Sequence, residues 1–490
     1  MDRAPFSQPM CAALLALTLA TMLGACSFAP EIQQTQAEAA LPVQFDPGEA
    51  AQPDTLRPMP RWWSAYNDPV LDRLVDTTLT RNLDLRAAAA RLVEVQNQYR
   101  IARAPRRPSI GIGVDANRSN TPANTGFTSD LPGVPERLEN DTYSLYGSIS
   151  YERDLWGRIR SQSSAAESEF FATAEDLRSV QIAVLAETIA TYFELLDLEA
   201  QRLLTKASVG LLQERIDLTE ERYDRGLVTS FELYSLRQEL ESTRTNVPLL
   251  EASIADAHGR LSVVLGLYPD EVADMLDAER SPDLVLTPIP TGLPSDLLQA
   301  RPDLAAATHR LEAARQNIGA AKASLFPSIT MTATGGLQSG ELSALLNTSQ
   351  YFTNLTTALF APIFQGGALR ANVKVTKAQY EQVAASYEKT LRTAFSEVGA
   401  TLVGYEKQQA RYAMLLEERA AAEASLQAQE ARYRSGVGDY LAYLDARRTL
   451  LRVQTSLAGA ERAVADARLA VHRALGGAWI EDPDSDQPDA

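Results

Sequence analysis

Apolar residues recur at helical spacing along most of this chain and alternate with polar ones in only two regions. Between Arg158 and Arg225 there is no proline and one glycine, Gly210. Leu185, Ile189, Tyr192 and Leu196 lie three or four apart, and Leu204, Leu211 and Leu218 lie seven apart. This spacing predicts one helix presenting a seam to neighbouring helices. At 1.5 Å per residue it would be about 100 Å long, whereas a helix of an ordinary domain has roughly three turns. A second proline-free run of matching length, Ala368 to Ser435, predicts a second such rod.

The remaining elements follow from punctuation. Asp68-Pro69 opens a predicted helix to about Ala104, stopped by Pro105 and Pro108. From Ser109 the period becomes two, with Ile110, Ile112 and Val114 alternating with glycine and polar residues. Beyond a Gly/Pro/Asn/Ser-rich stretch, Tyr143, Leu145, Gly147, Ile149 and Tyr151 alternate with Ser144, Tyr146, Ser148 and Ser150. The pattern predicts a hairpin, strands about 109–116 and 142–152, with a greasy and a polar face. The long helix then covers about 157–226, and a returning helix runs from about Ser230 to Leu265, interrupted at Pro248.

The plan is then repeated. A shift of 219 superposes Asp84-Leu85 on Asp303-Leu304 and Pro108-Ser109-Ile110 on Pro327-Ser328-Ile329. After the hairpin a shift of 210 superposes Arg222-Tyr223 on Arg432-Tyr433, Gly226 on Gly436 and Leu265-Gly266 on Leu475-Gly476. The difference falls in the hairpin, where loop length is free to vary. Ile329, Met331 and Ala333 alternate with threonines, and the return strand near Tyr351 to Phe360 alternates less cleanly. The expected layout is a first repeat at 62–266 and a second at 295–477. The second has strands about 328–336 and 351–361 and a long helix about 367–436. A proline-containing connector lies at 267–294 and an acidic tail at 478–490.

Composition narrows the class. Apolar residues make 45% of the chain and aromatics 7%, which suits helices packed through small side chains more than a thick aromatic core. A net charge of −17 argues against nucleic acid as partner. Arg3 precedes an apolar run, Met10 to Ala25, too short for a stable span and suited to a secretory signal over 1–25. It ends in Leu23-Gly24-Ala25-Cys26, which resembles a bacterial lipobox. Cys26 is then the expected site of a diacylglycerol and an N-acyl (palmitate) chain, and Ser27 after it favours sorting to the outer membrane by that resemblance. Cys11 lies in the removed segment, so no disulfide is expected. Residues 26–61, with six prolines, read as the lipidated N-terminus and an extended tether.

Four two-faced strands could form a small sheet lying on helices. Two features favour a membrane instead. Tyr143, Tyr151, Trp156, Tyr351, Phe352 and Phe360 gather toward strand ends, and the strands approach the length that crosses an outer membrane when tilted. Four strands cannot close a barrel and open edges are not tolerated in lipid, so several chains would have to share one wall.

The Tyr-Glu-Arg-Asp-Leu-Trp-Gly-Arg junction (Tyr151 to Arg158), the Phe-Pro-Ser-Ile entry (Phe326 to Ile329) and the turn Arg432-Tyr433-Arg434-Ser435-Gly436 carry a resemblance. So do Tyr440-Leu441 and Leu444-Asp445-Ala446. The whole mature chain resembles the outer-membrane factors of Gram-negative efflux and type I secretion systems, most nearly the OprM/NodT-type lipoproteins of the TolC superfamily. The resemblance implies an α+β membrane protein, a homotrimer forming a 12-stranded outer-membrane β-barrel that continues into a 12-helix periplasmic α-barrel. It implies a periplasmic adaptor and an inner-membrane pump as partners, an RND-type pump exporting small molecules being favoured and type I (ABC) secretion the alternative; the cargo is set by that pump, and drugs, metals, saccharides and polypeptides all stay open.

Leu441, Asp445 and Arg448 are spaced four and three apart and share one helix face. In a trimer each recurs as a ring, and the resemblance assigns the periplasmic gate to Tyr433, Leu441, Asp445 and Arg448, with Arg448 tethering Asp445. Both helix turns are expected to dock the adaptor: Arg225, Gly226 and Leu227 in the first, Ser435, Gly436 and Val437 in the second. An enzyme is not expected. His258, His309 and His472 are scattered, no nucleophile–base pair stands out, Gly111-x-Gly113 lacks the rest of a nucleotide fingerprint, and no metal or other cofactor is implied. The rival is a lipid-anchored coiled-coil scaffold without a pore.

Overall fold

A computed structural model describes residues 61–122, 137–276 and 301–477. The signal segment, Cys26, nearly all of the tether, most of the connector and the acidic tail lie outside the described residues. Eight α-helices are described: α1 Pro69–Arg81, α2 Leu83–Arg103, α3 Arg158–Asp224, α4 Ser230–Leu265, α5 Pro269–Leu276, α6 Pro302–Ala323, α7 Ala368–Arg434 and α8 Tyr440–Ala474. The strands are β1 Ser109–Pro122, β2 Arg137–Arg153, β3 Ser328–Ser339 and β4 Tyr351–Phe360. Each long helix, α3 and α7, runs 67 residues without a break.

The described residues fall into two compact units. One holds 93–122, 137–172 and 308–386. Its centre is a four-stranded antiparallel sheet in the order β1-β2-β3-β4. β1 and β2 extend well past the expected 109–116 and 142–152. Asn117 to Pro122 still pair with Thr142 to Arg137, because ladder hydrogen bonds need no apolar side chain. Cross-strand polar pairs hold this extension: Arg118 with Glu139 and Asp141, both at 3.4 Å, and Arg137 Nε donating to Asn120 at 2.6 Å.

The other unit holds 61–92, 173–276, 301–307 and 387–477. Its largest core gathers Trp62, Trp63 and Tyr66 from a short 3-10 helix, Leu71 and Leu74 from α1, Leu185, Ile189 and Tyr192 from α3, and Leu261 and Leu265 from α4. Asp68 caps α1, accepting from the Val70 and Leu71 amides at 2.8 and 3.2 Å, and also accepts the Tyr192 hydroxyl at 2.6 Å. The N-cap is thereby tied to the middle of a long helix. His472 stacks on Trp62 with centroids 4.9 Å apart. Burial, with the Arg468 charge adding to it, lowers its pKa to about 3, so it is neutral.

Three expectations need correction. The helix expected from Asp68 to Ala104 is broken at Asn82, whose backbone leaves the helical region and whose side chain accepts from Leu85 N at 2.9 Å and donates to Val264 O at 2.6 Å. A tertiary partner on α4 makes that break worthwhile. No interruption occurs at Pro248, since α4 continues through it with the ring exposed. The connector at 267–294 begins with helix α5, whose Val272 and Leu276 are buried in the main core and whose Glu271 carboxylate accepts from Tyr268 N at 2.9 Å.

Candidate functional site: the helix turns and the two-faced sheet

The turns come first. α3 and α7 both end in a glycine with positive φ, Gly226 at 72° and Gly436 at 76°. In the first turn Gly226 N donates to Tyr223 O at 2.8 Å and Leu227 N to Arg222 O at 2.9 Å. In the second, Gly436 N donates to Tyr433 O at 3.0 Å and Val437 N to Arg432 O at 3.1 Å. This paired closure satisfies the last carbonyls of each helix and requires the left-handed conformation glycine adopts without strain. Thr229 and Asp439 then cap α4 and α8. Arg225, Leu227 and Val437 are exposed, and Ser435 Oγ donates back to Arg432 O at 3.0 Å.

The turns differ in one respect that reading the repeat missed. Gly438 N also donates to Arg432 O at 2.8 Å, and a Cβ there would lie 2.8 Å from Arg432 C and Tyr433 N. The position superposed on it in the first repeat is Val228. The second turn is therefore wound more tightly, and it carries an aromatic cluster: Tyr433 lies 4.8 Å from Tyr440 and 6.0 Å from Tyr443, centroid to centroid. Burial in this cluster, with Glu214 nearby, raises the Tyr440 hydroxyl above its ordinary range.

The expected Arg448–Asp445 tether is not the short contact. Those groups are 4.0 Å apart, while Asp445 Oδ1 accepts from Arg215 Nη1 on α3 at 2.7 Å. Arg448 Nη1 instead donates to Glu239 on α4 at 2.7 Å. Arg447–Glu214 at 3.5 Å and Arg222–Asp439 at 4.0 Å add weaker pairs. Helix α8 of the second repeat, with its N-cap, is thus cross-linked to α3 and α4 of the first by alternating charges. Leu441 is half-buried and donates its amide to Asp439 at 3.2 Å. A signal for these links was present in the sequence. Under the 210 shift Arg215 faces Ser425, Glu239 faces Thr449, Asp445 faces Ser235 and Arg448 faces Gln238. All four charges are places where the repeat is broken.

The sheet has two chemically distinct faces, and its register sorts them. Partners across a ladder share a face. Ile110 pairs with Ile149, which pairs with Ala333, which pairs with Leu355. The same face carries Ile112, Val114, Leu145, Tyr151, Met331 and Leu359. Its outer members are exposed, Ile112 at 85% and Leu355 at 72%. On the opposite face Ser148 pairs with Thr334, which pairs with Asn354, and Ser150 pairs with Thr332, which pairs with Thr356. β4, which alternates poorly in sequence, contributes Leu355 and Leu359 to the apolar side and Asn354 and Thr356 to the polar one. Where strands meet helices, Trp156 stacks on Phe326 at 4.9 Å and donates to Pro327 O at 2.8 Å.

Among the described residues no group of three or more His, Cys, Asp or Glu side chains could hold a metal ion.

A family model described as outer membrane efflux protein matches residues 74–267 and 293–477. The chain is 32% identical over 481 residues to the probable efflux pump outer membrane protein TtgC of Pseudomonas putida, covering 96% of this chain and 97% of that one. It is 33% identical over 465 residues to the solvent efflux pump outer membrane protein SrpC of Pseudomonas putida, covering 94% and 96%. The open state of the MtrE outer membrane channel of Neisseria gonorrhoeae superposes with a TM-score of 0.72 at 26% identity, covering 93% of this chain and 99% of that one.

Proposed function

This chain belongs to the outer membrane efflux protein family, a family of outer-membrane transport proteins rather than enzymes, and on that premise we propose that it is the outer-membrane channel of a tripartite efflux system. One observation carries the reading: a four-stranded sheet with an exposed apolar face and a hydroxyl-rich face. Among the described residues β1 and β4 are each paired on one side only. Lipid supplies no hydrogen-bond partner for such edges. Three copies, with β1 of one against β4 of the next, close a 12-stranded barrel with the apolar face outward and the Ser/Thr face lining water. The helices of the three copies then form the 12-helix tunnel on the periplasmic side.

In this reading Cys26 carries the lipid anchor, and the two turns sit at the tunnel end far from the membrane and receive a periplasmic adaptor. Tyr433, Leu441, Asp445 and Arg448 form the closed aperture, held by the Arg215 and Glu239 links. Relatives named for efflux of solvents favour small molecules over polypeptides as cargo, and in this reading an RND-type pump supplies the energy, an ABC exporter being the alternative. Single-channel recording of the purified protein in planar bilayers tests this. A trimer with small resting current, enlarged by Asp445→Ala with Arg448→Ala, is the expected result. A monodisperse monomer passing no current overturns it.

A further inference from the structure

All four strands present one end to the helices: Ser109, Arg153, Ser328 and Phe360 lie along a single sheet edge. On β2 the apolar face runs Leu145, Gly147, Ile149, Tyr151 and then Arg153, which pairs with Ile329 and so continues the same face. An aliphatic band thus ends in a tyrosine and then a guanidinium. The notch behind it, about 230 Å³, is lined by Trp156, Phe326, Phe360 and Leu369 as well as Arg153. Its two acids are engaged: Glu152 holds Arg158 at 2.6 and 2.7 Å, and Asp154 accepts from Arg160 N at 2.7 Å. Arg153 is left exposed and makes no ion pair among the described residues.

Flanking segments repeat this character. Arg106 and Arg107 immediately precede β1, and after β4 the exposed Ile363 and Phe364 lead into α7. There Arg370, Lys374 and Lys377 share one face. None of these five forms an ion pair among the described residues, and neither α3 nor α7 has an acid in its first turn. Of these only Arg370 lies in an α-helix's first turn, where a cation opposes the dipole, and Arg106 donates to Arg160 O at 3.2 Å. Together these cations make an anion-attracting rim in a chain whose net charge is −17.

We infer that this edge binds anionic phospholipid of the leaflet facing the helices. Acyl chains would lie on the Ile/Leu face, and the phosphate would be held by Arg153 with Arg106, Arg107, Arg370, Lys374 and Lys377 around it. The inference rests on the membrane reading of the sheet. Amphiphile chemistry is required because the cationic rim is continuous with an exposed apolar band, an arrangement a free anion would not use. Basic residues beside an anionic leaflet each strengthen binding roughly fivefold.

The experiment uses the full-length protein reconstituted into vesicles of phosphatidylethanolamine with one-fifth phosphatidylglycerol, then re-extracted in mild detergent, with co-purifying lipid quantified by mass spectrometry. Phosphatidylglycerol is expected to be enriched several-fold over its share in the vesicle. That enrichment should fall clearly in Arg153→Gln, reach the vesicle's own share in Arg153→Gln with Lys374→Gln, and not change in Arg118→Gln at the opposite strand ends. Equal enrichment in all variants, or none in the parent, overturns the inference. Conductance, measured in the same vesicles, separates the two readings. A conducting protein without lipid preference sinks this inference alone, whereas a protein that inserts into no vesicle sinks the membrane reading with it.

Discussion

Asp445 on α8 accepts its short hydrogen bond, 2.7 Å, from Arg215 on α3, so the carboxylate expected to ring an aperture is held by the opposite repeat of its own chain. Arg215 is mostly buried, at 17% side-chain exposure, and Asp445 half-exposed. Such a pair contributes about 1 kcal/mol, roughly a fivefold bias between two positions of α8. Arg215→Ala alone is therefore expected to raise open probability in planar bilayers by about that factor. Arg215→Ala with Asp445→Ala should add little more, and full additivity would refute the coupling.

Gly226 and Gly438 should respond differently to alanine. Gly226 has open space around it, and its substitution meets only the left-handed penalty of about 1 kcal/mol. Gly438 would drive a Cβ into the Arg432 and Tyr433 backbone. Gly438→Ala should unwind the second turn and speed tryptic cleavage after Arg432 and Arg434 several-fold, with little change for Gly226→Ala.

Arg301 is a buried cation holding three groups: Asp303 at 2.7 Å, Glu397 at 2.8 Å and Ala474 O at 2.7 Å. Burial disfavours its charge, but the hydrogen bonds to Asp303 and Glu397 outweigh that and raise its pKa. Arg301→Ala removes these bonds beside the ends of α6 and α8; Asp303 and Glu397 are nearly half exposed, so water takes the place of the guanidinium there and the cost is about 1 kcal/mol. A lowered thermal midpoint in detergent would be the signature, with Arg301→Lys intermediate.

His472 predicts acid sensitivity. Its folded pKa, about 3, lies below the ordinary histidine value. Between the two, the unfolded chain binds a proton that the folded one does not, so stability falls as pH drops through that window by at most about 1.4 kcal/mol per pH unit. His472→Gln should flatten the midpoint difference between pH 7 and pH 5. An unchanged slope would show that the ring is already charged in the fold.

Much of the architecture was legible along the chain because it is written in local periodicities. The proline-free seams of α3 and α7, the glycines ending them and the alternation in β1 and β2 each depend on residues a few positions apart. The breaks in the repeat were legible too, but not their meaning. Asn82 reads as an ordinary helical residue until Val264 accepts from its amide, and Trp62 and Trp63, the first residues of the first repeat, show no partner in the sequence until α3 and α4 cover them.

By itself the sequence determined where the two long helices and the four strands lie, that the plan occurs twice, and that one side of the first hairpin is apolar, since period and composition are properties of neighbours. Only the tertiary structure decided that Arg215 rather than Arg448 holds Asp445, that Arg153 continues the apolar face, and which way β4 sorts its residues. Those facts depend on register and on which helices lie side by side. Partners more than two hundred residues apart leave no periodic trace, and a shift of one residue in the ladder would exchange the two faces.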